Sequence, residues 1–237
     1  MSESKRAIKI LEVILRFLKE TGDITLLGDI SDNAQKQGVS PNPFRILIGT
    51  VLSARNRDEL TTIAVKQLFD EGGFDTPEKI AGATLEVLEG LIKKSGFYRI
   101  KASRIKEISK ILIKDHGSKV PKNMDLLLAL PGVGRKTANC VRVYAFNIPC
   151  IPVDTHVHRI PNRLGLIKTK KPEKSELALM ELYPEKYWTS INNGFITFGK
   201  LVCKPISPNC SECPLEKDCP KLIIPKASKK KKKPKKR

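Results

Sequence analysis

"DLLLALPGVGRKTANCVRVYAF", residues 125–146, joins two short helical patterns through Pro131-Gly132-Val133-Gly134. Apolar positions recur at helical spacing on both sides of this turn. The two glycines allow positive φ there and leave backbone amides uncovered. A helix that begins directly after such a turn offers its first N–H groups, and the positive end of its dipole, to an anion. A glycine pair alone is equally the ordinary turn of an αα-hairpin. The pair Arg135-Lys136, which follows at once in a chain with 44 Lys and Arg against 25 Asp and Glu, turns the reading towards phosphate. Gly132, Val133, Gly134, Arg135 and Thr137 are therefore candidate DNA contacts, with Lys136 among them at the helix start.

The same periodicity runs outward along the chain. Ile8, Leu11, Ile14, Leu15 and Leu18 form one stripe; Phe44, Leu47, Ile48, Val51 and Leu52 form another. Further helical stretches fall near 84–95, 99–115, 174–183 and 187–202. Helix starts carry their preferred residues, at Asn42-Pro43, Thr76-Pro77-Glu78 and Thr84. No alternating strand is convincing, and the short apolar run 148–153 is broken by Pro149 and Pro152. The fold class expected is all-α.

At 237 residues the chain can bury one or two cores, and its formal net charge of +19 points to a polyanionic partner. Residues 226–237, KASKKKKKPKKR, hold nine of the positive charges and no acid, and without them the rest still carries +10. Residues 223–237 are expected to form a disordered basic tail that draws in phosphate by counterion release, aids solubility or serves as a nuclear address. No apolar run reaches the roughly 18 residues of a membrane span, and no secretory core follows the charged N-terminus. The expectation is a soluble intracellular monomer, nucleoid-associated in a prokaryote or nuclear in a eukaryote.

Residues 203–219, CKPISPNCSECPLEKDC, place Cys203, Cys210, Cys213 and Cys219 within one proline-rich loop. Four thiolates so spaced can close around one centre, either zinc or a 4Fe–4S cluster. Cys140 and Cys150 stand apart and read as core residues. His156 and His158 lack the spacing of a zinc hydrolase.

The hairpin "LPGVGRKTA" resembles the helix-hairpin-helix of the DNA glycosylases related to endonuclease III, and "VDTHVHRIPNRLGL", residues 153–166, extends the resemblance. It implies a two-domain fold: a helical domain over 38–148 bearing the hairpin, and a cluster domain combining 1–37 with 149–222. The resemblance also decides the cysteine loop for a 4Fe–4S cluster. It makes Lys136 and Asp154 the catalytic pair of a bifunctional glycosylase and AP lyase acting on duplex DNA with a damaged or abasic nucleotide. Independently of family, a nucleophilic lysine must be neutral, and Lys136 has desolvation, Arg135 and a helix N-terminus available to lower its pKa. A carboxylate beside C1′ stabilises oxocarbenium-like charge and accepts the lysine proton; Asp154 can do this and also cap the helix that follows it.

An enzyme that reaches C1′ inside a duplex must extrude the nucleotide and fill the hole. "LSARNRDE", 52–59, and "SGFYRIKA", 95–102, resemble the family's void-filling loops, with Arg55 where relatives usually carry glutamine and Phe97 where they often carry leucine. Arg55, Asn56, Arg57, Phe97 and His156 are candidate DNA-facing residues. Phe97 can equally pack in the core at a helix end. Oxidised pyrimidines are the expected substrates; mismatched uracil or thymine, oxidised guanine, or noncatalytic DNA binding are the alternatives.

Overall fold

The computed structural model describes residues 2–21 and 42–222. The basic tail and the domain boundary expected at 37/38 lie outside the described residues. Those described are helical, with no strand among them: α1 (Glu3–Thr21), α2 (Pro43–Ser53), α3 (Asp58–Lys66) continued by a π-turn over Gln67–Glu71, α4 (Pro77–Gly82), α5 (Leu85–Leu91), α6 (Tyr98–His116), α7 (Met124–Leu128), α8 (Arg135–Phe146), α9 (Thr155–Arg163), α10 (Pro172–Leu182) and α11 (Trp188–Leu201). The all-α expectation holds.

Side-chain caps fix several helix starts. Asn42 opens α2, Thr76 α4, Thr84 α5, Asn123 α7 and Asp154 α9, each accepting first-turn backbone N–H bonds. The helix expected over 84–95 ends early, at Leu91, because residues 92–97 turn and Phe97 takes a left-handed conformation before α6.

Buried apolar side chains form two clusters. The first draws on α2 to α8 and ends at Cys150; the second combines α1 with residues from Ile151 to Leu215. Central to the first is α2, whose residues Ile46 to Leu52 are all buried, as an all-round apolar helix must be. It packs along α8, while α6 receives α4 and α5. Lys136 thus sits on a helix backed by a full core. In the second, α1 and α9 pack on α11. Each fully buried Leu or Ile there, such as Leu11 or Ile14, contributes about 1.5–3 kcal/mol relative to exposure, which is why the remote α1 stays docked. Arg6 also donates to the Leu164 carbonyl at 2.9 Å, and the Tyr183 hydroxyl to the Ala7 carbonyl at 3.1 Å. Tyr144 of the first cluster donates to Asn192 of α11 at 2.9 Å, linking the two.

Candidate active site

The hairpin between α7 and α8 uses its glycines unequally. Gly132 has φ +77° and needs to be glycine, whereas Gly134 is extended. Val133 is a buried anchor at 6% exposure, and its N–H donates to the Leu130 carbonyl at 3.1 Å. Its amide therefore belongs to the turn and is not offered to phosphate, a correction to its expected role. The start of α8 is what remains available: Gly134 provides no side-chain cap, unlike the residues just before α2, α4, α5, α7 and α9. Uncapped first-turn amides attract an anion.

Lys136, second residue of α8, is half-buried, with the buried Cys140 one turn on. Asp154 is near enough to act electrostatically on both. Its Oδ1 accepts the His156 N–H at 2.8 Å and the Val157 N–H at 2.9 Å, so capping fixes the carboxylate while leaving Oδ2 outside the cap bonds. The Cys140 sulfur foremost, then Asp154, hold the Lys136 amine above its ordinary pKa, against burial, which lowers it. Cys140 acts this way only as a thiolate, and burial pushes its own pKa up. Near neutral pH the thiol is protonated, leaving burial and Asp154 as opposing influences on the amine.

Arg135 does not lower the Lys136 pKa as expected. Its guanidinium forms a two-pronged pair with Glu176, at 2.7 and 3.1 Å, which also raises its own pKa. Glu176 is only 4% exposed and takes a third bond from Asn139 at 2.9 Å. Arg135 therefore joins α8 to α10 instead of presenting a free cation to DNA. Thr137 is buried against the core, so its side chain is not a surface contact either.

His156 lies beside Asp154, on a floor formed by Gly199 of α11. A Cβ at Gly199 would collide with Nδ1 of His156 and stand 3.0 Å from Ile160 Cδ1, so only glycine fits. Arg159 donates to His156 Nδ1 at 3.2 Å. Since a guanidinium has no acceptor, this bond leaves the ring proton on Nε2. Burial, first, keeps the imidazole pKa below its usual value.

Of the two void-filling candidates, the loop after α2 exposes Arg55 at φ +51°, and the segment before α6 exposes Phe97 at φ +60° and 61% exposure. Phe97 is not a core residue; Tyr98 beside it packs on the first cluster. Both exposed residues hold a left-handed conformation that non-glycine residues rarely adopt. Asn56 departs from its expected DNA-facing role: its amide donates to Thr61 at 3.1 Å and Ser95 at 3.3 Å and accepts from the Gly96 N–H at 3.3 Å. Arg57 is exposed at the start of α3.

Cys203, Cys210, Cys213 and Cys219 are all unpaired thiols and line one cavity with Arg163, Leu164, Phe198 and Val202. Among the described residues no group of three or more His, Cys, Asp or Glu side chains converges to grip a single ion. Arg163 is buried and braces the loop, bonding the carbonyls of Lys204 and Pro205 at 2.6 Å each and Cys203 Sγ at 3.6 Å. The Lys221 N–H approaches Cys219 Sγ at 3.4 Å. A ring of sulfurs with N–H donors aimed at it suits a cluster whose irons each take one cysteine. Two lysines near this loop are paired with carboxylates, Lys200 with Asp58 and Lys221 with Glu216 at 3.0 Å.

The likeness to known proteins is specific. Residues 48–185 match the HhH-GPD superfamily of base excision DNA repair proteins. Over 178 residues the chain is 53% identical to endonuclease III of Thermotoga maritima, covering 75% of this chain and 83% of that one. Over 194 residues it is 41% identical to endonuclease III of Bacillus subtilis, covering 81% and 88%. Among solved structures, a trapped endonuclease III–DNA covalent intermediate matches with a TM-score of 0.79 at 36% identity, over 93% of this chain and 97% of that one. The chain belongs to the HhH-GPD base excision DNA repair superfamily and, within it, to the endonuclease III family of DNA glycosylases with AP lyase activity.

Proposed function

We propose that this chain removes oxidised or ring-saturated pyrimidines from duplex DNA and then nicks the abasic strand, with Lys136 as nucleophile and Asp154 as the carboxylate beside it. The observation that carries this reading is a half-buried lysine amine, at the uncapped start of α8, whose protonated form is favoured by an aspartate that the cap of α9 holds in place. The two buried clusters are read as two domains, 38–148 and 1–37 with 149–222. Damaged duplex lies between them, gripped on its backbone by the α8 amides, Gly132 and Gly134, and probed by Arg55 and Phe97. Endonuclease III solved in covalent and non-covalent complexes with DNA supports duplex DNA as the partner.

Lys136 transfers a proton to Asp154 through Oδ2 and its lone pair attacks C1′. The C1′–N bond breaks, and the base leaves with the electron pair and is protonated. The departing base takes that proton from Asp154, and the carboxylate so restored stabilises the positive charge left on the sugar and its new nitrogen. The sugar ring opens to an iminium between Lys136 and C1′. Loss of a C2′ proton then expels the 3′ phosphate by β-elimination, and water hydrolyses the iminium to free the lysine. Burial favours the neutral amine that the first step requires, and entry of DNA excludes more water.

Cys203, Cys210, Cys213 and Cys219 would hold a 4Fe–4S cluster, which when bound supplies a rigid cross-link among four points of a loop otherwise short of core. Leu215, buried within that loop, and Arg163 anchor it to α9, the helix that Asp154 caps.

A panel of duplexes, each with a single lesion or abasic site, tests the assignment. Excision and 3′ nicking at oxidised pyrimidines is the expected result. Selective excision of mismatched thymine, uracil or oxidised guanine would reassign the substrate, and salt-sensitive binding without turnover on any strand would remove the enzymatic reading.

A further inference from the structure

The two candidate probing loops are not independent. Lys101, in the first turn of α6, is 3% exposed, yet it reaches between them: its ammonium donates to the Leu52 carbonyl at 2.8 Å and to Ser95 Oγ at 2.9 Å. Ser95 Oγ donates in turn to the Leu52 carbonyl at 3.2 Å. Asn56 closes the knot from the other loop by bonding Ser95 and the Gly96 amide. Leu52, Asn56, Ser95 and Gly96 flank Arg55 and Phe97, both exposed and both left-handed in backbone. Such backbones persist only where surroundings over-determine them.

One turn further along α6, Arg104 lies across the hairpin. A Cβ at Gly132 would stand 2.8 Å from its Cδ. The same helix therefore touches both probing loops and the phosphate-facing hairpin, which sets all three in register.

Both acceptors of Lys101 are neutral, so the cation is buried without a counter-charge. Burial, with Arg104 adding repulsion, lowers its pKa to about 8. A buried lone charge destabilises a fold. A methionine of similar length would fill the same space without that cost, so stability does not account for a lysine here.

We propose that Lys101 is a positioning residue for duplex interrogation, tying the loop that carries Arg55 to the loop that carries Phe97 so that both meet the DNA as one rigid unit. This rests on the proposed reading of Arg55 and Phe97 as void-filling residues. Lys101 touches neither DNA nor the reacting atoms. Its contribution falls on extrusion of a stacked nucleotide, and none falls on chemistry at a sugar that is already unstacked.

The test compares full-length wild type with Lys101→Met on two substrates: a lesion paired in duplex DNA, and an abasic site in single-stranded DNA, which needs no extrusion. Loss of a buried hydrogen-bonded knot should slow single-turnover excision from duplex by about tenfold or more, with single-strand cleavage within about twofold of wild type. The thermal midpoint should be unchanged or higher. A milder variant, Ser95→Ala, which keeps the Leu52 bond, should show the same split at smaller size. In the Arg55→Ala/Phe97→Ala background the Lys101→Met effect on duplex should vanish, because the tie no longer has probes to hold. Equal losses on both substrates, a full effect that persists in that background, or normal duplex excision by Lys101→Met would each overturn the assignment. A wild-type chain that cleaves no abasic site would instead overturn the enzymatic reading beneath it.

Discussion

Replacing Asp154 with asparagine and, separately, with alanine distinguishes the residue's two duties. Both cap bonds end on Oδ1, at 2.8 and 2.9 Å, and an asparagine carbonyl oxygen can accept both. Asp154→Asn therefore keeps the cap and loses only the attraction between a carboxylate and the α9 dipole, about 0.3–1 kcal/mol. Asp154→Ala loses that and the cap as well, a further ~1 kcal/mol. For a chain of this size each kcal/mol moves the thermal midpoint by about 2–4 °C, so the alanine variant should melt visibly below the asparagine variant. Chemistry should not follow that order. If the carboxylate accepts the Lys136 proton and supports charge at C1′, both variants should fall by about 10²–10⁴-fold in single-turnover excision, asparagine included. Binding of lesion duplex should survive, because the proposed grip comes from α8 and the probing loops. Calorimetry, single-turnover nicking and binding on the same preparations complete the comparison. An asparagine variant that excises at a near-normal rate would refute the catalytic role and leave Asp154 as a cap alone.

Lys101, with a pKa of about 8 folded against a reference of 10.5, binds fewer protons in the folded than in the unfolded state between those values. Unfolding free energy should therefore rise with pH across that window, at no more than about 1.4 kcal/mol per pH unit, and Lys101→Met should lack the rise. Parallel curves for the two proteins would contradict the buried cation. Metal analysis of the purified chain should find iron and acid-labile sulfide in equal amounts, about four of each, both lost in Cys213→Ala; zinc without sulfide would assign the loop to a single ion. Deleting residues 226–237, with their nine positive charges, should weaken nonspecific binding and flatten the slope of log affinity against log salt by up to ~0.9 for each phosphate that the tail neutralises. An unchanged slope would mean that the tail neutralises none.

Helices were readable from the sequence because period and caps agree: Thr76 and Thr84 bond the amides three residues on, where their motifs put them. The break at Leu91 was harder to see, since the left-handed turn at Phe97 is held by Lys101 and Asn56 across some forty residues. Lys136 and Asp154 stand out as motif residues, but the influence of one on the other depends on how the fold brings together helices of two separate buried clusters. Local charge misleads most at Arg135: in sequence it is a cation beside a lysine, and in the fold its partner Glu176 lies 41 residues away. Asn56 misleads for the same reason, through Ser95. Nothing in the period of α6 distinguishes Lys101 from its solvated neighbours, and only the buried carbonyl of Leu52 gives it a purpose.

The central claim is that the Lys136 amine bonds covalently to a deoxyribose carbon. Borohydride reduction during incubation with abasic duplex, followed by peptide mapping, examines it directly. One stable protein–DNA adduct should form, mapped to Lys136 and lost in Lys136→Gln. An adduct on another residue, or trapping that persists undiminished in Lys136→Gln, would contradict it.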